Sequence, residues 1–158
     1  LEYLTNKKIK RIENQNRRVE MRIKLDEGAF EPTRGYATDA GMDLLTPVDV
    51  TIPKGGSATI DTGVHVQLPR NTFGKLESKS GLNVKHSVVC LGGVIDESYR
   101  GSIAVKLYNF GDEDYTFKRG EKLVQMIIQP CVIPERLNVV DDLGKTDRGS
   151  NGFGSTGT

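Results

Sequence analysis

From Met21 onward the chain never runs far without a Gly, Pro, Asp or Asn, and this punctuation limits what it can fold into. Between the breaks lie short β-rich runs at residues 48–52, 58–60, 64–68, 73–76, 84–91, 103–109, 123–129 and 132–140. They recur every ~8–12 residues, the spacing of a β-sandwich or barrel. Val64-His65-Val66-Gln67-Leu68 alternates, with apolar residues on one face and His65 and Gln67 on the other, so His65 is expected as a surface strand residue rather than a ligand. Val124-Gln125-Met126-Ile127-Ile128 is nearly continuous, as in a strand covered on both faces by a second sheet or another subunit. Pro47, Pro53, Pro69, Pro130 and Pro134 stand at segment ends, where a missing N–H does no harm. No segment keeps a helical period, and residues 78–82 offer the best place for a single turn. The expectation is one all-β domain, which 158 residues can supply with a core of its own.

Charge narrows the partners. The chain carries 22 Lys+Arg against 21 Asp+Glu, so no global basic field requires nucleic acid and a small partner is favoured. Cys90 and Cys131 lack C-x-x-C spacing, giving neither a disulfide framework nor a zinc pattern, and both are expected as reduced thiols. With His65 and His86 the only histidines, any metal is expected to be held by oxygen. No apolar run approaches the ~18 residues that span a bilayer, and no signal-peptide core is present. The chain is therefore expected to be cytoplasmic, or nuclear in a eukaryotic or viral setting, not membrane-bound and not secreted. Residues 1–20 stand apart as a basic tail, crowded with Lys7, Lys8, Lys10, Arg11, Arg17 and Arg18.

Chemistry gathers in five short runs. In the central one, residues 92–101, Gly92-Gly93 between β-rich arms reads as a tight hairpin turn with positive φ. Asp96 follows the apolar pair Val94-Ile95, where burial would suit it to general-base work, and Tyr99 offers an apolar ring with a polar tip. Ser78-Lys79-Ser80-Gly81-Leu82 can aim hydroxyl, amide and ammonium donors at an anion. Arg119-Gly120-Glu121-Lys122 is a turn leading to Gln125 on the continuous strand, and Asp43 lies in Ala40-Gly41-Met42-Asp43-Leu44. The last run, residues 148–158, is too rich in glycine to pack itself. Its composition suits a lid: Arg148 supplies a bidentate fork, Gly154 a close-approaching amide, Ser155 and Thr156 hydroxyls, and Phe153 a ring to cover a base.

In order, these five runs resemble the five motifs of the trimeric dUTP diphosphatase (dUTPase) family, and the likeness covers about residues 21 to 158. Met21, where it begins, is expected as an initiator. The resemblance implies a distorted jelly-roll of the β-clip kind forming a homotrimer, with residues 21–147 as the domain and 148–158 as a C-terminal lid swapped onto a neighbour. It further implies hydrolysis of dUTP to dUMP and pyrophosphate. Asp96 would activate the water that attacks the α-phosphorus, while Gln125 and Arg148 act at the phosphates. Lys79, Ser80, Gly81, Ser155 and Thr156 would bind the phosphates; Cys90, Leu91, Gly93, Val94 and Ile95 would present backbone to the uracil. Tyr99 would pack under the deoxyribose, Phe153 over the base, and Mg²⁺ would be met by Asp43 through water. Two positions depart from the pattern: Lys79 stands where arginine is usual, losing the bidentate fork, and Asn151 stands where glycine is usual. Two alternatives stand beside this reading. A dCTP deaminase of the same superfamily needs a catalytic glutamate, and neither Glu77 nor Glu97 sits in a deaminase pattern. A nucleotide-switched module binding a regulatory protein is the other.

Overall fold

The computed structural model describes residues 20–150. Within them lie eleven strands and one helix: β1 (Arg22–Leu25), β2 (Gly41–Leu45), β3 (Val50–Ile52), β4 (Ser57–Asp61), β5 (Val64–Gln67), β6 (Thr72–Ser78), α1 (Ser80–His86), β7 (Val88–Cys90), β8 (Val94–Ile95), β9 (Ala104–Asn109), β10 (Tyr115–Phe117) and β11 (Lys122–Pro130). The all-β expectation holds. The strands form four antiparallel sheets with the orders β1-β5, β10-β3, β2-β11-β6-β8 and β4-β9-β7.

Alternation decides which side chains go inward. On β5, Val64 and Val66 are buried while His65 is half-buried and Gln67 exposed; on β9, Val105, Leu107 and Asn109 point in and Ala104 points out. These join Leu44, Ile52, Leu76, Val88, Ile103, Phe117, Leu123, Val124 and Met126 in one core. Asn109 tolerates burial because its whole amide is used: Nδ2 donates to the carbonyls of Ile52 (3.0 Å) and Glu113 (2.8 Å), and Oδ1 accepts from the Gly111 N–H (2.9 Å). Thr62 does the same with the Ile103 carbonyl (2.8 Å). At the centre of the largest sheet, β11 is fully buried at Leu123, Val124 and Met126, while Ile127 and Ile128 are only half-covered. The cover expected on both faces of the near-continuous apolar run is thus met along part of its length.

Three expectations need correction. Residues 84–91 are not one strand: α1 takes 80–86, Ser87 closes it in the left-handed conformation (φ 54°), and only Val88–Cys90 extend. The helix has no buried residue, so it never needed the apolar stripe that betrays helices in a sequence; Lys85 and His86 in its last turn suit the negative helix end. Residues 132–140 form no strand. β11 stops at Pro130, and Val132, Leu137 and Val139 are exposed, with no strand among the described residues paired to them. Finally, Gly92 and Gly93 do have positive φ (88° and 96°), yet β7 and β8 do not pair with each other. β7 joins β9 and β8 joins β6, so the glycines carry the chain between two sheets. Gly93 is pinned there: its carbonyl accepts from Leu76 N–H (2.8 Å), and a Cβ would come within 2.6 Å of Leu76 Cβ.

Candidate functional site

Where β2, β11 and β6 lie side by side, Gln125 stands across from Asp43 on one edge and from Glu77 on the other. Asp43 is 6% exposed. Its Oδ1 is paired with Lys79 Nζ and its Oδ2 with Lys122 Nζ at 2.7 Å. Burial works against its charge, but the hydrogen bonds and charges of Lys122 and Lys79 prevail and hold the carboxyl below its ordinary range. Gln125 Nε2 donates to the Ser78 carbonyl (3.3 Å), and Ser78 Oγ accepts from the Cys90 N–H (2.8 Å), so the end of β6 ties the amide of Gln125 to the start of the 90–95 run. Ser80 and Gly81 follow Lys79 at the exposed start of α1. A cleft of about 440 Å³ opens beside them, lined in part by Lys79, Gly81, Lys85 and Lys122. The lysines of this cleft, Lys79, Lys85 and Lys122, are the part of it suited to an anion, beside Leu82, Tyr115, Phe117 and the carboxylate of Glu121.

Gly41 explains itself here. A Cβ on it would lie 2.5 Å from Gln125 Oε1 and 2.8 Å from Gln125 Cβ, so only glycine lets Gln125 lie across β2. Gly41→Ala is expected to lower turnover at least about tenfold by displacing that amide, because a misplaced polar group at a reacting centre costs rate steeply. Steady-state kcat measured beside thermal melting checks it, since a melting point that drops without loss of kcat contradicts the positioning role.

Asp96 and Tyr99 sit elsewhere. Ile95 is buried, and Asp96 emerges exposed at the end of the two-residue edge strand β8, so the expected burial of Asp96 is not found within its own subunit. The edge strand is too short to cover the side chain after Ile95. Beyond it the chain turns, with Tyr99 N–H donating to the Asp96 carbonyl (3.0 Å) and Tyr99 Oη to the Ser102 carbonyl (2.9 Å). Arg100 donates to the carbonyls of Glu97 (2.7 Å) and Tyr99 (2.8 Å). Glu97 accepts from Asn71 N–H (2.7 Å), and Ser102 hydrogen-bonds Asp61. Leu91 and Val94 are exposed, Gly93 and Cys90 partly covered, and burial pushes the Cys90 thiol up, helped by Glu77. Arg148 is exposed; Phe153, Gly154, Ser155 and Thr156, with Asn151, lie outside the described residues, as do residues 1–19.

The register shows how these groups are separated. β8 meets β6 at Gly74 and Lys75, so Asp96 leaves near the Phe73 end of β6 while Lys79 follows its other end. Five residues of strand at ~3.3 Å each place the two ends ~16 Å apart. Asp43, Lys79 and Gln125 are brought together, and Asp96 and Tyr99 are not brought to them within one subunit. Lys122 was missed as a site residue although its motif was noted; nothing in a strand-foot lysine tells that it will reach a carboxylate on the next strand.

The family model for dUTPase matches residues 29–157. The chain belongs to the dUTPase family. Among curated dUTPases it is 43% identical to the Rattus norvegicus protein over 85% of this chain and 65% of that one, and 43% identical to the Homo sapiens mitochondrial protein over 85% and 53%. The chain thus spans between half and two thirds of these two relatives. Against the dUTPase of Paramecium bursaria Chlorella virus 1, 40% identical, the shares are 85% and 94%. The fold is that of solved dUTPases: the Staphylococcus bacteriophage 80α enzyme with dUpNHpp superposes at a TM-score of 0.81, with 28% identity over 88% of this chain and 99% of that one. A substituted dUTPase of phage phi11 of S. aureus, described with a coordinated structural Mg(II) ion, gives 0.73 and 28% over 79% and 99%.

For this dUTPase chain, the donor set tests how Mg²⁺ would fit. Among the described residues no group of three or more His, Cys, Asp or Glu could hold a metal, and both oxygens of Asp43 face ammonium groups. With both oxygens occupied by ammonium groups, Asp43 offers no open pair of ligands in this arrangement, and Mg²⁺ is an ion that commonly keeps several waters and binds through substrate phosphates.

Proposed function

We propose that the chain is a dUTP diphosphatase working as a homotrimer, with each site assembled from more than one subunit. The observation that carries the shared site is the separation along β6: a phosphate-binding cluster at one end and the Asp96–Tyr99 loop at the other. Exposed apolar side chains after β11, among them Val139 (96%) and Leu143 (94%), support an arm that finds its cover on a neighbour.

In the assembled site, Asp96 of one subunit accepts a proton from the water attacking the α-phosphorus of dUTP. Lys79, Lys122 and the Ser80 and Gly81 donors hold the phosphates, Gln125 orients water beside them, and Arg148, Gly154, Ser155 and Thr156 close over them from the tail. Mg²⁺, bound with the phosphates and met by Asp43 through water, would offset their charge. Lysine at position 79 gives a point charge where a fork would grip two oxygens. The backbone of residues 90–95 reads the uracil edge, Phe153 covers it, and Tyr99 packs under the deoxyribose. The products are dUMP and pyrophosphate, so the activity lowers dUTP, keeps uracil out of DNA and supplies dUMP for thymidylate synthesis. The described residues contain no helix long and apolar enough to cross a membrane, and both cysteines are free; a cytoplasmic or nuclear setting fits them.

Pyrophosphate release from dUTP, dCTP, dTTP and UTP, with and without Mg²⁺, tests this directly; release confined to dUTP is expected, and equal turnover of the four would overturn it. Tyr99→Ala is expected to lower the dUTP over UTP ratio in kcat/KM while leaving the fold intact, because the ring that excludes a 2′-hydroxyl is gone. An unchanged ratio removes the steric role. Solved phage 80α dUTPases are described as controlling transfer of virulence genes by a G protein-like mechanism. A regulatory protein partner for this chain rests on that likeness alone, and catalysis is what the geometry favours.

A further inference from the structure

One contact ties the Asp96–Tyr99 loop to the body of the fold through an ionisable ring. His65 lies on the outward side of β5, across from Lys24 in the β1–β5 register. Its Nδ1 is 2.7 Å from the Arg100 carbonyl oxygen and its Nε2 is 3.0 Å from Asp26 Oδ2. Carbonyl and carboxylate are both acceptors. A neutral imidazole carries one N–H and would turn a lone pair toward one of them; only the imidazolium donates to both.

We propose that His65, as the doubly donating imidazolium, is a positioning residue for the Asp96–Tyr99 loop, making sugar discrimination depend on the protonation of a ring that never touches the substrate. This rests on the reading of that loop as part of the dUTP site. The loop is held at three points. Glu97 grips Asn71 on the Asp96 side, Ser102 grips Asp61 on the far side, and His65 holds Arg100 between them, next to Tyr99. Releasing the middle point leaves both ends fastened. The effect therefore falls on Tyr99, and so on KM and on the choice between deoxyribose and ribose, more than on kcat.

The surrounding charges favour the imidazolium. Asp26 faces it from the turn after β1, Asp61 from the end of β4, and Lys24, Arg22 and Arg100 lie around it. The Arg100 carbonyl, then Asp26, raise the ring above its ordinary value, with Lys24 working against them; the hydrogen bond from His65 in turn holds Asp26 below its ordinary range. With the folded value raised, the tie is complete below the ordinary imidazole value and is lost as pH rises through the folded one.

The test follows kcat and KM for dUTP and UTP from about pH 5 to 9 in the wild type, His65→Gln and Asp26→Asn, beside NMR titration of the His65 ring, assigned against His86→Gln. The wild-type dUTP over UTP ratio is expected to fall ~3–10-fold as the ring deprotonates, the scale of one charged hydrogen bond partly lost. Three further results belong with it: a low, pH-independent ratio for His65→Gln, a break displaced to lower pH for Asp26→Asn, and a ring midpoint that coincides with the wild-type break. A His65→Gln profile superimposable on the wild type, or a ring titrating at or below the ordinary value of 6.5, overturns the proposal. If His65→Gln does not fold, the Asp26→Asn break and the wild-type ring titration decide it. If instead the dUTP reading is at fault, the wild type hydrolyses no dUTP at any pH. Amide exchange at residues 99–101 against pH still reports the tie: a protection factor that falls through the ring midpoint supports it, and a pH-independent protection factor sinks it.

Discussion

Replacing Asp96 by Asn is expected to lower kcat by about 10²–10⁴-fold while dUTP still binds, because the amide keeps the shape of the side chain and cannot take a proton from water. The structure makes this a clean measurement. Asp96 is exposed, and the turn it begins is held by its backbone carbonyl, which accepts from Tyr99 N–H, and by the Glu97–Asn71 contact. Among the described residues the Asp96 carboxylate makes no hydrogen bond or ion pair. Single-turnover hydrolysis with an independent measure of dUTP binding separates chemistry from affinity; a variant with near-native kcat would show that another group is the base.

A second large effect is expected from mixing two dead proteins. Deleting residues 148–158 removes Arg148 and the Phe153 lid, and should leave a folded oligomer, by light scattering, with little turnover. Refolding this truncation together with Asp96→Asn protein should restore activity, provided Asp96 and the tail of one site come from different chains. Random assembly of an equal mixture then gives about one quarter of the sites both an intact Asp96 and an intact tail. The register fits a shared site, since Asp96 leaves β8 near the Phe73 end of β6 while Lys79 follows the other end. The chain also has the reach: ten extended residues cover ~33 Å, about the width of a subunit of this size. If mass spectrometry finds mixed trimers and no dUTP hydrolysis returns, the tail closes over its own subunit.

How much of this was legible in the sequence depended on whether the signal was local. The inward and outward choice on β5 could be read from five letters, and His65 was rightly placed on the outer side. The 78–82 run read locally as an anion binder, while that Asp43 and Gln125 lie beside it could be inferred only from the resemblance; the strand register places Gln125 across from Asp43, and Lys79 reaches Asp43 as an ion pair. What escaped was set by remote partners. That β7 and β8 part company depends on β9 (Ala104–Asn109) and β6 (Thr72–Ser78), and not on the glycines between them. Helix α1 was legible only as a single turn at 78–82, because a helix with no fully buried residue, touching the core through Leu82, carries no apolar period to detect. Lys122 and His65 escaped as functional residues for the same reason, since their partners Asp43, Asp26 and Arg100 are near only after folding.

The strand order also governs how the chain is born. β2 near the start and β6 in the middle both take β11 as their neighbour, and β3 waits for β10. The last strand to leave the ribosome is thus the one around which the largest sheet is built, and Leu44 and Leu76 have no finished core until Leu123, Val124 and Met126 arrive. Such non-local pairing folds slowly and leaves sticky surface open during synthesis. The domain therefore cannot complete its largest sheet until Pro130 has been made, and a message cut short before Pro130 yields a chain lacking part of that sheet's central strand.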